Sequence, residues 1–317
     1  MGVSVNGVPG LDIEMEMKLV QQTLNQLQQE GATQHEIKLA MKDLGIKRAN
    51  FYGWPNTYVF TKAMGEMLLK TVKKDTSVVV IRPTMVTSTY KEPFLGWTEG
   101  TIRSIDSIAV AYGKGALTCF LGDNEAVSDF IPADMVINAM LAAMVAHANQ
   151  ANNDDIIIYH VGSSASNPLK LPNTANYLSR FFTAKPLLSN DGKPIKVGKL
   201  TLFNNVASFN LYLFLRYLLP LQVLNLMNKV SCNYFEEIYI DYSRMVHVVM
   251  RMADLYKPYA FFAGIFDNKN TVKLLEAARR GLEKEEMNLF EFDPKIIDWK
   301  DYFINVHLPG VVKYLLK

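Results

Sequence analysis

The stretch Asn56-Thr57-Tyr58-Val59-Phe60-Thr61-Lys62-Ala63-Met64-Gly65-Glu66, with Asp75-Thr76-Ser77-Val78-Val79-Val80-Ile81-Arg82-Pro83-Thr84 shortly behind it, decides the fold. Pro55 and Asn56 are start signals, and the helix they open is expected to run to about Lys74. Asp75-Thr76-Ser77 then turns the chain into Val78-Val79-Val80-Ile81, a continuous β-branched run of the kind that forms a strand buried on both faces of a parallel sheet. Helix, short turn and buried strand make half of a βαβ unit, so the expected class is α/β. The strand stops at Arg82-Pro83-Thr84, and open α/β sheets bind their ligands beyond the carboxyl ends of strands.

The same helix carries Tyr58 and Lys62 four residues apart, which puts both on one face. A phenol beside an ammonium gives up its proton more readily, the property that carbonyl reduction by a nicotinamide asks of its acid. The plain structural alternative is a partly buried phenol next to a solvated amine.

Working outward, residues 12 to 30 read as a helix, with Met17, Val20, Leu24 and Leu27 at spacings of three and four. Thr33-Gln34-His35-Glu36 is a capping box for a second, short helix that ends near Gly45. Downstream the helix–turn–strand pattern recurs: Asp134 is expected to cap a helix from Met135 to about Ala148. Asn152-Asn153-Asp154-Asp155 then turns into Ile156-Ile157-Ile158-Tyr159-His160-Val161, closed by Gly162-Ser163-Ser164. Asp129 reads as a turn residue and His160 as a core histidine. Leu200 to Leu215 holds no charge, nor does Tyr217 to Met227. Asn204, Asn205, Asn210, Arg216 and Pro220 interrupt this run, so a buried or interfacial helix fits it better than a membrane span. Helices are expected from Tyr234 to Tyr256, from Thr271 to Gly281, and at the end of the chain.

Composition narrows the class. The 317 residues are 49% hydrophobic and 20% charged, which reads as globular. A net charge of +2 with scattered cations makes no case for nucleic acid. Cys119 and Cys232 belong to no C-x-x-C pattern, which points to a reducing compartment, and the five histidines form no metal-binding spacing. Met1 to Asn6 has neither the basic nor the apolar region of a signal peptide and misses the myristoylation pattern.

With these elements in view the chain resembles the plant alcohol-forming fatty acyl-CoA reductases of the male-sterility-protein type, extended short-chain dehydrogenases with an added C-terminal helical domain. The residues that carry the resemblance are Gly53 to Gly65 and Val80 to Thr87 with Pro93-Phe94-Leu95-Gly96-Trp97. Asp129 to Val136, Tyr159 to Ser164, Ile297-Asp298-Trp299 and His307-Leu308-Pro309-Gly310 extend it over nearly the whole chain. It implies the C-terminal part of a Rossmann-type domain over 1–165, a substrate-side segment with an apolar stretch over 166–230, and an all-helical domain over 231–317. It also implies NADPH-dependent reduction of a long-chain fatty acyl-CoA to the alcohol. In that chemistry Tyr58 protonates the carbonyl oxygen and Lys62 holds the nicotinamide ribose. Main-chain groups of Pro83, Thr84, Met85 and Val86 line the nicotinamide. Trp54, Phe94, Trp97 and the run 200 to 227 are candidate walls of an acyl tunnel. The resemblance leaves room for peripheral membrane association at the endoplasmic reticulum.

One part of the family pattern is absent. No G-x-G-x-x-G stands ahead of Tyr58, and Gly113-Lys114-Gly115 reads as a loop. Each βαβ unit needs about 30 residues, and only 57 precede Tyr58, too few for the usual leading strands. The chain thus reads as the back two-thirds of a reductase. A non-catalytic relative that binds lipid or a partner is the reading from another class.

Overall fold

The computed structural model describes residues 10–73, 76–100, 102, 104–148, 156–231, 233–261, 264–281 and 290–316. The N-terminal segment, Lys74 and Asp75, the Asn152–Asp155 turn and Cys232, on which expectations were placed, lie outside the described residues. The chain forms two compact units, one of residues 1–78 with 150–156, the other of 79–149 with 157–317.

The first unit is helical: α1 (Ile13–Gln29), α2 (Gln34–Phe51) and α3 (Thr57–Val72). Each start is set by a side chain that takes an orphan N–H of the first turn. Asp12 accepts from Met15 N at 3.1 Å, and Asn56 accepts from Val59 N at 3.0 Å. Thr33 and Glu36 make the expected reciprocal box, at 3.3 and 2.8 Å. α2 does not stop near Gly45; it runs on to Phe51. Gly45 is an interior position that lets Thr57 approach, since a Cβ there would sit 3.1 Å from the Thr57 methyl. The tie between α1 and α2 is Glu16, whose carboxylate takes two hydrogen bonds from Arg48 (2.5 and 2.8 Å) and one from the Tyr52 hydroxyl (3.0 Å). Phe60 of α3 stacks on Tyr52, which closes a small core with Leu11 and Ala49.

The second unit holds the strands. β1 (Val79–Pro83) pairs in parallel with β6 (Ile157–Val161), Ile81 opposite Tyr159. After a one-residue break at Thr84, β2 (Met85–Thr87) pairs in parallel with β5 (Phe130–Pro132). β3 (Cys119–Leu121) and β8 (Thr201–Phe203) are parallel as well, and β4 (Val127–Ser128) with β7 (Leu169–Lys170) is the one antiparallel pair among the described residues. Helices α5 (Ala133–His147) and α6 (Leu171–Ala184) pack on these strands, and α4 (Ser104–Gly113) packs on α6. This is the expected α/β layering. One expectation needs correcting: Val79, Val80 and Ile81 are half-buried, not enclosed on both faces, and of the described helices in this unit it is α5 that packs on β1.

Beyond β8 the unit is helical. α7 (Val206–Leu213), a π-helical turn (Phe214–Leu218) and α8 (Leu219–Val230) form one continuous helix, followed by α9 (Glu236–Ala260) and α10 (Lys269–Gly281). The terminal run comprises Trp299–Asp301, a second π turn at Tyr302–His307, and Leu308–Leu315. Each π turn stands just ahead of a proline, Pro220 or Pro309. Proline has no N–H for the carbonyl four residues back, so the ladder loosens there. At the first turn the freed carbonyl of Arg216 accepts from the Tyr242 hydroxyl at 3.1 Å.

Candidate functional site

Tyr58 lies at the second position of α3, with its side chain turned outward: 65% of the residue is exposed. Lys62, one turn on, brings its Nζ to 5.8 Å from the Tyr58 ring centroid. The helix therefore presents the pair on one face, as the spacing implies. Trp54 is half-buried beside the Tyr52–Phe60 core of the same unit.

Pro83, Thr84, Met85 and Val86 belong to the second unit, at the carboxyl end of β1. The break between β1 and β2 is held from two sides. Thr84 N donates to Val161 O, and Met85 N donates to Asp129 O, both at 3.0 Å. Asp129 also binds through its side chain, with Oδ1 accepting from Ser163 N at 2.7 Å. It is thus more than a turn residue, since it joins the start of β5 to the loop after β6. Gly162 makes the junction possible: a Cβ there would strike the Thr84 methyl and lie 2.8 Å from Asp129 Oδ1. Two of the main-chain donors at 83–86 are thereby engaged. The Thr84 hydroxyl, the second oxygen of Asp129 and the Ser164 hydroxyl are buried with no hydrogen-bond partner. Such atoms suit a polar ligand group or an ordered water at the strand ends.

Asp134 is not the expected helix cap. α5 starts two residues earlier than expected, at Ala133, with Pro132 in the cap position and no side-chain cap. The Asp134 carboxylate instead accepts from three consecutive main-chain N–H groups, Tyr90 (2.7 Å), Lys91 (2.7 Å) and Glu92 (3.1 Å). A loop cannot satisfy three neighbouring donors by itself, and a carboxylate at a helix N-terminus is also favoured by the helix dipole. His160 is a half-buried bridging residue: its ring nitrogens lie 3.2 Å from Arg82 Nη1 and 3.0 Å from Asp267 O. Phe94 and Trp97 pack edge to face at 6.4 Å.

Sequence reasoning missed a buried polar knot around the end of β2. Tyr302, fully enclosed, donates to Ser88 O at 2.6 Å and lies 2.7 Å from Thr87 Oγ1. Desolvation pushes its phenol well above the usual tyrosine range, with the hydrogen bonds from Ser88 and Thr87 opposing, so it stays a donor. His307, also fully buried, stacks on Tyr302 and meets Ser88 Oγ through Nδ1 at 3.0 Å. Its Nε2 lies 3.1 Å from Asp106 Oδ1, though out of line for a hydrogen bond. His307 stood in the motif His307-Leu308-Pro309-Gly310, but nothing in the spacing could link it to Ser88, 219 positions away.

Residues 16–140 match an NAD-binding family model described as male sterility protein, and residues 216–317 match a second model with the same description. The chain is 50% identical over its whole length to an alcohol-forming fatty acyl-CoA reductase of Simmondsia chinensis, of which it spans 63%. It is 48% identical over its whole length to a probable fatty acyl-CoA reductase 4 of Arabidopsis thaliana, spanning 64% of that protein. A putative fatty acyl-CoA reductase 7 of the same plant is 44% identical over 96% of the chain, which covers 72% of it.

Proposed function

The chain belongs to the male-sterility-protein family of fatty acyl-CoA reductases, and from that premise we propose that it serves the NADPH-dependent reduction of a long-chain fatty acyl-CoA to the primary alcohol. The balance is one thioester, two NADPH and two protons to one alcohol, free coenzyme A and two NADP+. NADPH, when bound, supplies hydride to the carbonyl carbon. The chain's own part is to deliver a proton to the oxygen and to orient the reactants. Tyr58 is the proton donor in this reading. Lys62 on the same helix face holds the ribose. Main-chain groups of the segment Pro83–Val86 face the nicotinamide.

The observation that carries the reading is the exposed Tyr58 ring with the Lys62 ammonium 5.8 Å from its centroid, inside the region matched by the NAD-binding model. No observation favours the non-catalytic alternative. The test is alcohol formation from long-chain acyl-CoA by this chain joined behind the leading segment of the Simmondsia relative. Turnover that Tyr58→Phe abolishes supports it, and turnover that survives that change refutes the role of Tyr58.

Peripheral membrane association belongs to the same proposal, with the endoplasmic-reticulum location resting on the family resemblance. Its support is the helix Val206–Val230, which is long and apolar enough to cross a bilayer. Phe209, Leu213, Tyr217 and Asn228 on its inner side are buried in the core. Leu211, Leu215, Leu219, Val223, Leu226 and Val230 form an exposed outer stripe. The helix contains no acidic residue, and its two cations, Arg216 and Lys229, are exposed. A helix tied into a core on one side and apolar on the other lies in an interface, not across it.

A further inference from the structure

The buried knot of Ser88, Asp106, Tyr302 and His307 has no part in the chemistry assigned to Tyr58 and Lys62, yet it fastens the terminal helical run to the end of β2, the strand that follows Thr84. Three features mark it as a clamp and not as incidental packing. Tyr302 and His307 are fully buried, as are Thr87 and Ser88 within a few per cent, so every hydrogen bond here works without competition from water. Ser88 is held at three atoms: its carbonyl accepts from Tyr302, its hydroxyl meets Tyr302 and His307, and its N–H points at His307 Nδ1 (3.5 Å). With Nδ1 accepting that N–H, the imidazole proton stands on Nε2, which lies 3.1 Å from Asp106 Oδ1 in the first turn of α4 but out of line with it. The terminal run is also pressed against the following loop. Gly96, at φ 72°, and Gly310 cross so closely that a Cβ on either would collide with the main chain opposite.

We propose that His307, stacked on Tyr302, is a positioning residue for the reductase reaction: through Ser88 it fixes the direction of β2 and so of the Thr84–Val86 segment upstream. The inference rests on the reading of 83–86 as the nicotinamide-facing segment. It gives the terminal helical run a task in the reaction, that of a fixed stop against which the strand end is registered. A displacement of about 1 Å at such a segment is enough to lower a rate ~100-fold.

Two measurements test it. In the 317-residue chain, His307→Leu should speed amide hydrogen exchange at Met85 to Thr89 about tenfold while leaving β6 amides unchanged. His307→Asn, which keeps a polar atom near the Nδ1 position, should restore much of the protection. Unchanged exchange, or a uniform rise across the unit, overturns the clamp. In the joined enzyme, His307→Leu should lower kcat about tenfold, leave KM for acyl-CoA unchanged and raise the deuterium isotope effect of NADPH labelled at the transferred position. A kcat loss with an unchanged isotope effect means fewer active molecules and refutes positioning. If the unmutated joined enzyme does not turn over, the reductase reading fails and the positioning role falls with it. The exchange data still decide whether the clamp exists.

Discussion

Gly310 crosses Gly96 with no room for a side chain on either: a Cβ at Gly310 would run into the Gly96 carbonyl, and one at Gly96 into the Val306 carbonyl. Main-chain atoms cannot step aside as a flexible side chain can. Gly310→Ala should therefore cost about 2 kcal/mol or more in unfolding free energy, more than an ordinary surface change. Urea unfolding of the two chains side by side measures it, and an unchanged midpoint would show that the terminal run docks elsewhere.

Glu16 gives the first unit a defined response to acid. Hydrogen bonds from Arg48, and to a lesser degree Tyr52, hold its carboxyl below the usual range, with burial opposing. A depressed acid binds fewer protons folded than unfolded, so its contribution is complete above the unfolded value of 4.5 and is lost as pH falls through the lower folded value. Exchange at α1 and α2 amides should accelerate as pH drops below that range, after correction for intrinsic rates. Arg48→Met should remove this pH dependence and cost about 2 kcal/mol.

Cys119 is buried in β3, and desolvation pushes its thiol up to about 12. At pH near 8 almost none of it is thiolate, the reactive form. Peptide mapping after iodoacetamide treatment should find Cys119 unlabelled in the native chain and fully labelled after denaturation.

The outer stripe of Val206–Val230 predicts reversible binding to vesicles of phosphatidylcholine with a minority of phosphatidylserine. Leu215 and Leu226 are exposed, so glutamate at both should leave stability within about 0.5 kcal/mol. The same double substitution should abolish co-sedimentation with the vesicles. Retained co-sedimentation would place the membrane contact elsewhere, and a concentration-dependent dimer that the substitutions dissolve would make the stripe a contact between copies.

Local chemistry was legible in the sequence. Val79 to Ile81 and Ile157 to Val161 announce strands by composition, and Thr33 with Glu36 announces a helix start, because each signal is complete within a few residues. Asp134 misled because its position fits a cap, while its partners are main-chain groups more than 40 positions away. Ser88, Tyr302 and His307 gave no signal beyond the motif that contains His307, since single polar residues in apolar surroundings have no period. The two π turns could be suspected only from Pro220 and Pro309. The shared helix face of Tyr58 and Lys62 was legible, since it is a matter of spacing alone.

The most direct test of the account is fatty alcohol formed from long-chain acyl-CoA and NADPH by the chain joined behind the leading segment of its Simmondsia relative, compared with the same enzyme carrying Tyr58→Phe. Loss of a proton donor from the transition state should lower kcat by about 100-fold or more, with KM for acyl-CoA little changed. Alcohol formation at the unmutated rate after Tyr58→Phe would contradict the account.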